Sequence, residues 1–235
     1  MAFVQAKTAE PAGAAPTVAA TFDSNVVATN LIVVAFSFDT TAGSVATVAD
    51  SLLNPYTIIQ FAHDLANDEE LQMHYAKNIT GGACTVTISF TPDANFRRLI
   101  IAEYNGVTAN PLDQSNKTSG GTTASGVDGT QSAAIIPTVN GTRVVAALNI
   151  AQATGPTITA GTDYTERAEN PVNGGEVQVE DLTQAVAASI TGKWTLSSGG
   201  DNYNAIVASF FQTTTVVTVP ADNPPIGIAG RGAGW

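Results

Sequence analysis

Short apolar runs, punctuated by glycine, proline and asparagine, constrain this chain more than any other feature. "NLIVVAFSF" (residues 30–38), "RRLIIAEYNG" (97–106), "TRVVAALNIA" (142–151) and "NAIVASFF" (204–211) are apolar at consecutive positions, the pattern of strands buried on both faces. Elsewhere the period is two. In "LQMHYAKN" (71–78) successive side chains point to opposite faces, and in "CTVTISF" (84–90) Thr85, Thr87 and Ser89 turn toward water. The glycines of "ITGGA" lie between them, so "YAKNITGGACTVTISF" (75–90) reads as a hairpin with one wet face.

Further strand signals fall near residues 17–22, 56–63, 133–137, 164–167, 176–181 and 189–196. About a dozen short strands between turn residues predict an all-β chain, a two-sheet antiparallel sandwich with the jelly roll as first choice. Two stretches compete with that reading. "ANDEELQM" (66–73) opens like a helix with Asn67 as N-cap, and "VEDLTQAVAASI" (179–190) fits a short helix as well as a strand. Residues 17–212 are expected to form one sandwich domain, flanked by an arm of small residues (1–16) and an extended C-terminal tail (213–235). Residues 113–133, poor in large apolar groups, read as a long mobile loop or a polar edge strand.

Charge narrows the partners. Nine Lys and Arg stand against 20 Asp and Glu, a formal charge of −11, which repels phosphate backbones and anionic lipid. Neither nucleic acid nor a membrane is an expected partner. The opening "MAFVQAKTAEPAGAAPTVAATF" lacks a basic n-region and an unbroken apolar h-region, so no signal peptide is read in it. "LIVVAF" is too short to span a bilayer. Cys84 is the single cysteine, which excludes an intrachain disulfide, and it shares a strand face with Val86, Ile88 and Phe90, so a buried hydrophobe is expected there.

Catalysis needs converging titratable groups, and few are available. His63 and His74 are the only histidines, and no G-x-S-x-G elbow is present. Paired carboxylates would have to come from Glu103, Glu166, Glu169, Glu176 or Glu180. Glu103 interrupts an apolar strand and is expected to face solvent or to pair with Arg97 or Arg98. Asp64, Asp68, Glu69 and Glu70 in "HDLANDEE" form a weak Ca²⁺ candidate without EF-hand spacing. Trp194, with Asp201, Asn202 and Tyr203 in the turn-rich "GKWTLSSGGDNYN", is a candidate sugar-binding surface. No cofactor and no enzyme activity are expected.

The succession "NPYT" at Asn54, "YAKNITGGACTVTISF" at Tyr75, "LIIAEYNGV" at Leu99 and "NPLD" at Asn110 resembles a recurrent β-sandwich module of phage structural proteins and of bacterial surface or secreted proteins. The resemblance spans residues 17–211 and carries no catalytic or binding residue. Together with the opening "MAFVQA", it implies a phage virion protein made in the host cytoplasm, either a capsid decoration protein or a tail- or fibre-associated one. The expected partners are other copies of the chain, a major capsid or tail protein, and host polysaccharide. In the tail, Pro224 and Pro225 would stiffen a tether, Ile226 and Ile228 would dock it, and Trp235 would anchor it. The alternative is a carbohydrate-binding adhesion module.

Overall fold

The computed structural model describes residues 1–41, 43–151, 156–170 and 176–213, which hold strands and no helix. The first eight strands are β1 (Ala2–Ala9), β2 (Ala15–Thr21), β3 (Leu31–Asp39), β4 (Val45–Asp50), β5 (Thr57–Asp64), β6 (Glu69–Ala76), β7 (Thr85–Ala94) and β8 (Arg98–Asn105). Eight more follow: β9 (Val107–Thr122), β10 (Gly126–Gln131), β11 (Thr142–Ile150), β12 (Ile158–Ala160), β13 (Thr165–Asn170), β14 (Glu176–Gln184), β15 (Lys193–Leu196) and β16 (Asn202–Gln212). All of their pairings are antiparallel.

The two sets of eight repeat one another. The first set makes a five-stranded sheet ordered β1-β8-β3-β6-β5 and a three-stranded sheet ordered β2-β7-β4. Replacing each strand by the one eight places later reproduces the second set, β9-β16-β11-β14-β13 beside β10-β15-β12. Even the irregularities recur. A residue bulges from β1 between Phe3 and Gln5, opposite Tyr104 and Glu103, and another from β9 between Leu112 and Gln114, opposite Phe210 and Ser209. The edge strands β5 and β13 likewise slip between Ile58 and Gln60 and between Glu166 and Ala168. The expected two-layer sandwich is thus present twice, as two units.

The five-stranded sheets of the two units lie face to face, giving layers of three, five, five and three strands. β1 packs beside β13 and β5 beside β9, so each unit's edge meets the opposite edge of its counterpart, as a twofold relation requires. This stacking explains the runs that are apolar on both faces. Ile32, Val34, Phe36 and Phe38 of β3 fill the core of the first unit, whereas Leu31, Val33 and Ala35 fill the core between the units. In β11, Val144, Ala146 and Leu148 fill the core of the second unit while Val145 and Ala147 face the first. Cations close both seams over rings. Arg167 stands 4.6 Å from the Phe3 centroid and Lys117 Nζ 4.1 Å from that of Phe61.

Four expectations need correction. Residues 75–90 are not a hairpin: β6 pairs with β3 and β5, β7 pairs with β2 and β4, and residues 77–84 cross from one sheet to the other. The alternation in β7 is as expected, but the hairpin partner of β6 is β5, reached by a four-residue turn (65–68), while β3 takes its other edge. The N-terminal arm does not stand free, because Ala2–Ala9 pair along β8 and Phe3 sets its ring 5.8 Å from Tyr104. The helical alternatives give way to a turn at Asp68 (φ +52°) followed by β6, and to β14, which runs on to Gln184. Residues 133–137 contribute only a bridge between Ile135 and Ile190. The polar stretch 113–133 is edge strand in β9 and β10, rather than loop, over most of its length.

Candidate functional site

The buried polar residues hold the scaffold together. Glu103 is fully buried and does not pair with Arg97 or Arg98. Its Oε1 accepts from Asn30 Nδ2 (2.6 Å) and Val27 N (2.8 Å), its Oε2 from Gln5 Nε2 (2.7 Å), so one carboxylate joins β1, β8 and the loop before β3. Asp50 accepts from Leu52 N, Asn54 N, Asn54 Nδ2 and Tyr56 Oη at 2.8–3.0 Å, which freezes the link from β4 to β5. Cys84 is buried beside it, and burial together with Asp50 pushes its thiol up to about 12, which leaves it protonated and unreactive.

The predicted site residues do not converge. Trp194 is fully enclosed in the second unit's core and offers no face to a sugar. Tyr203 is buried too, with Oη donating 2.7 Å to Gln131 O. Only Asp201 and Asn202 of that quartet reach the surface, and Asn202 Nδ2 turns to Asp64 Oδ1 at 3.4 Å. Strand alternation separates the calcium quartet. Glu69 points into the core between the units toward Arg98 (3.3 Å) and Asn149 (2.9 Å), and Glu70 accepts from Gln72 on the opposite face. Asp64 is buried and caps its own turn through Ala66 N and Asn67 Nδ2, and Asp68 is exposed. Among the described residues no three His, Cys, Asp or Glu side chains gather as metal ligands. His63 meets Thr40 (3.0 Å) and His74 meets Gln72 (2.8 Å), neither in a nucleophile–base–acid series. Burial holds His74 at about 4, neutral at physiological pH. Pro224, Pro225, Ile226, Ile228 and Trp235 lie outside the described residues.

Among the described residues, one concave feature belongs to the second unit. The link between β4 and β5 has six residues (51–56) and is plugged by Asn54, whose Oδ1 accepts from Thr80 N at 2.7 Å. Its counterpart between β12 and β13 has four (161–164) and leaves an open groove of about 480 Å³, walled by Tyr164, Leu182, Gln184, Ala185, Ile190 and Lys193. Glu180 braces its base, accepting from Gly161 N and Lys193 N at 3.0 Å each, while Tyr164 Oη donates 2.7 Å to Thr191 O. Sequence reading missed the groove because its signal is a deletion relative to a repeat that is itself faint.

Two acids in this unit titrate far from their ordinary range. Burial raises Glu180 to about 8 against its backbone donors, and burial with the neighbouring Glu169 and Glu166 carboxyls raises Glu176 to about 9. A folded-state pKa above the unfolded one means the fold binds the extra proton. The stabilisation is complete below about pH 4.5 and drains away as pH rises toward 8 and 9. The melting temperature is therefore expected to fall steadily between pH 5 and pH 9, with a shallower slope in Glu176→Gln. A flat or rising curve across that interval would contradict the assignment.

No helix among the described residues is long and apolar enough to cross a membrane. Comparison with protein-family models, with curated proteins and with solved structures finds no match to this chain.

Proposed function

We propose that the protein is a non-enzymatic virion structural protein of a phage, a capsid decoration or a tail- or fibre-associated component that assembles through its terminal segment. The support is of two kinds. The buried carboxylates and histidines described above are engaged by neighbours in ways that brace strands, an arrangement suited to a contact surface more than to turnover. The strand order of each unit, first-eighth-third-sixth beside second-seventh-fourth, we read as a jelly roll whose fifth strand has joined the larger sheet. Capsid and lectin domains both use that architecture, an analogy of fold alone.

The observation that carries the proposal is the meeting of chain segments at one pole. Thr213 N donates 2.9 Å to Gly106 O, the Met1 ammonium donates to Gln212 Oε1, and Gln212 Nε2 donates to Gly141 O. The start of each unit and the end of each unit lie together there, and Thr213 is the last described residue before the segment 214–235. A sandwich held this way presents its opposite pole to solution while the tail engages a neighbour. The adhesion alternative would have to draw on surfaces other than Trp194.

The protein is expected to copurify with particles in stoichiometric amount. Deleting residues 224–235 should weaken that incorporation several-fold and leave the melting temperature unchanged, as expected when a terminal segment serves assembly and not the core of its own chain. Full incorporation of the truncated chain would remove the tether.

A further inference from the structure

We propose that the groove beside Tyr164 in one copy receives residues 224–235 of a second copy, an inference that rests on the assembly role above and names the surface the tail engages. The two units supply an internal comparison. Where the first unit fills the space with a longer link and Asn54, the second keeps about 480 Å³ open, within the size range of sites that enclose a ligand. The groove also sits at the pole where Gln212 and Thr213 lie. Gln184 in its wall accepts from Gly141 N at 2.9 Å, and Gly141 O accepts in turn from Gln212 Nε2.

The groove lining is mixed, with Thr162, Thr183, Ser189, Thr191 and Lys193 polar, and its apolar part is what the tail would use. Leu182, Ala185 and Ile190 are apolar, and the lip continues into Val186, 61% exposed, and Val139, 46% exposed, linked by the Ala187 N to Asn140 Oδ1 bond of 2.7 Å. This apolar lip suits Ile226, Ile228 and Trp235. Asp163, exposed at the rim with φ +71°, offers a carboxylate to Arg231, the only Lys or Arg in residues 214–235.

Tail length selects the occupant. The ten residues 214–223 separate the exit from the docking segment and extend up to about 35 Å, comparable with the width of a body this size. A tail seated in its own groove, two hydrogen bonds from its exit, needs no such spacer. In an array of copies each tail would occupy a neighbour's groove in a head-to-tail contact, which propagates instead of closing on a pair.

Full-length chains carrying Ser189→Cys, at the groove, are mixed with full-length chains carrying Ile228→Cys; Cys84 is buried in both. Mild oxidation should produce a covalent heterodimer faster than a Thr47→Cys control partnered with the same Ile228→Cys chain, and a synthetic peptide of residues 220–235 in excess should suppress it. Ser189→Trp in the full chain should weaken self-association about tenfold or more by filling the seat, with its melting temperature held. A heterodimer no faster than the control, or self-association untouched by Ser189→Trp, overturns the groove as the docking surface. An intrachain disulfide dominating in a chain that bears both cysteines overturns the exchange between copies. If the cross-link forms but the protein is absent from particles, the docking stands and the virion role fails.

Discussion

Asp181→Ala is expected to lower stability by about 3–5 kcal/mol, the largest loss for a single polar substitution in this protein. Asp181 is fully buried where the two units meet and binds Arg167 through two bonds of 2.8 and 2.9 Å. Arg143 Nη1 approaches the same carboxylate at 3.3 Å. Both guanidiniums are themselves largely buried, so alanine would strand two cations that have only marginal access to water. The damage extends further, because Arg167 also rests on the ring of Phe3 and so links β14 to the edge of the first unit. At this chain length the loss corresponds to a fall of about 10 °C in melting temperature. Asp181→Asn, which keeps the shape and loses the charge, should fall between alanine and the parent. A shift under about 2 °C for alanine would mean that water reaches the arginines and the seam is not sealed.

Trp194→Ala is expected to cost about 3–5 kcal/mol as well, by cavity formation. The indole lies against Gly192, where a Cβ would stand 2.9 Å from the ring and 2.6 Å from Ala146, so the backbone has closed tightly around it. Such a site relaxes poorly after truncation, which places the cost high in the range. The indole Nε1 has no acceptor among the described residues. Trp194→Phe therefore removes an unsatisfied donor together with part of the volume, and should cost clearly less than alanine. Thermal or denaturant unfolding of the two variants checks both statements. If Trp194→Ala melted with the parent but lost binding on a glycan array, the ring would belong to a surface and the packing described for the second unit would be wrong.

Much of the fold was legible in the sequence for local reasons. Alternation in "CTVTISF" identifies the wet face of β7, and the two-faced apolar runs identify β3, β8, β11 and β16 as central strands, because strand geometry sends successive side chains to opposite sides. Pairing was not legible. "YAKNITGGACTVTISF" has the glycines of a hairpin, yet its halves join different sheets, since the choice of partner depends on which edges other strands have already taken. Glu103 shows the same limit for sites: an acid in an apolar strand is visible, but its donors, Gln5, Val27 and Asn30, come from distant segments.

The duplication is the largest thing that local reading missed. Its echoes are short: "ELQM" at 70–73 against "EVQV" at 176–179, "ITG" at 79–81 and 190–192, and "LIIAEY" at 99–104 against "AIVASF" at 205–210. What the two units share is which face each residue serves, and many apolar identities satisfy that requirement. The amino-acid order by itself determined that the chain is β throughout, where its central strands run and which of their faces are dry, because those follow from side-chain period and burial. Only the tertiary structure decided that there are two units, that their larger sheets close on each other, and that one of the two holds a groove at the pole where Gln212 and Thr213 lie. Those outcomes depend on contacts between segments about a hundred residues apart, whose geometry no short window of sequence contains.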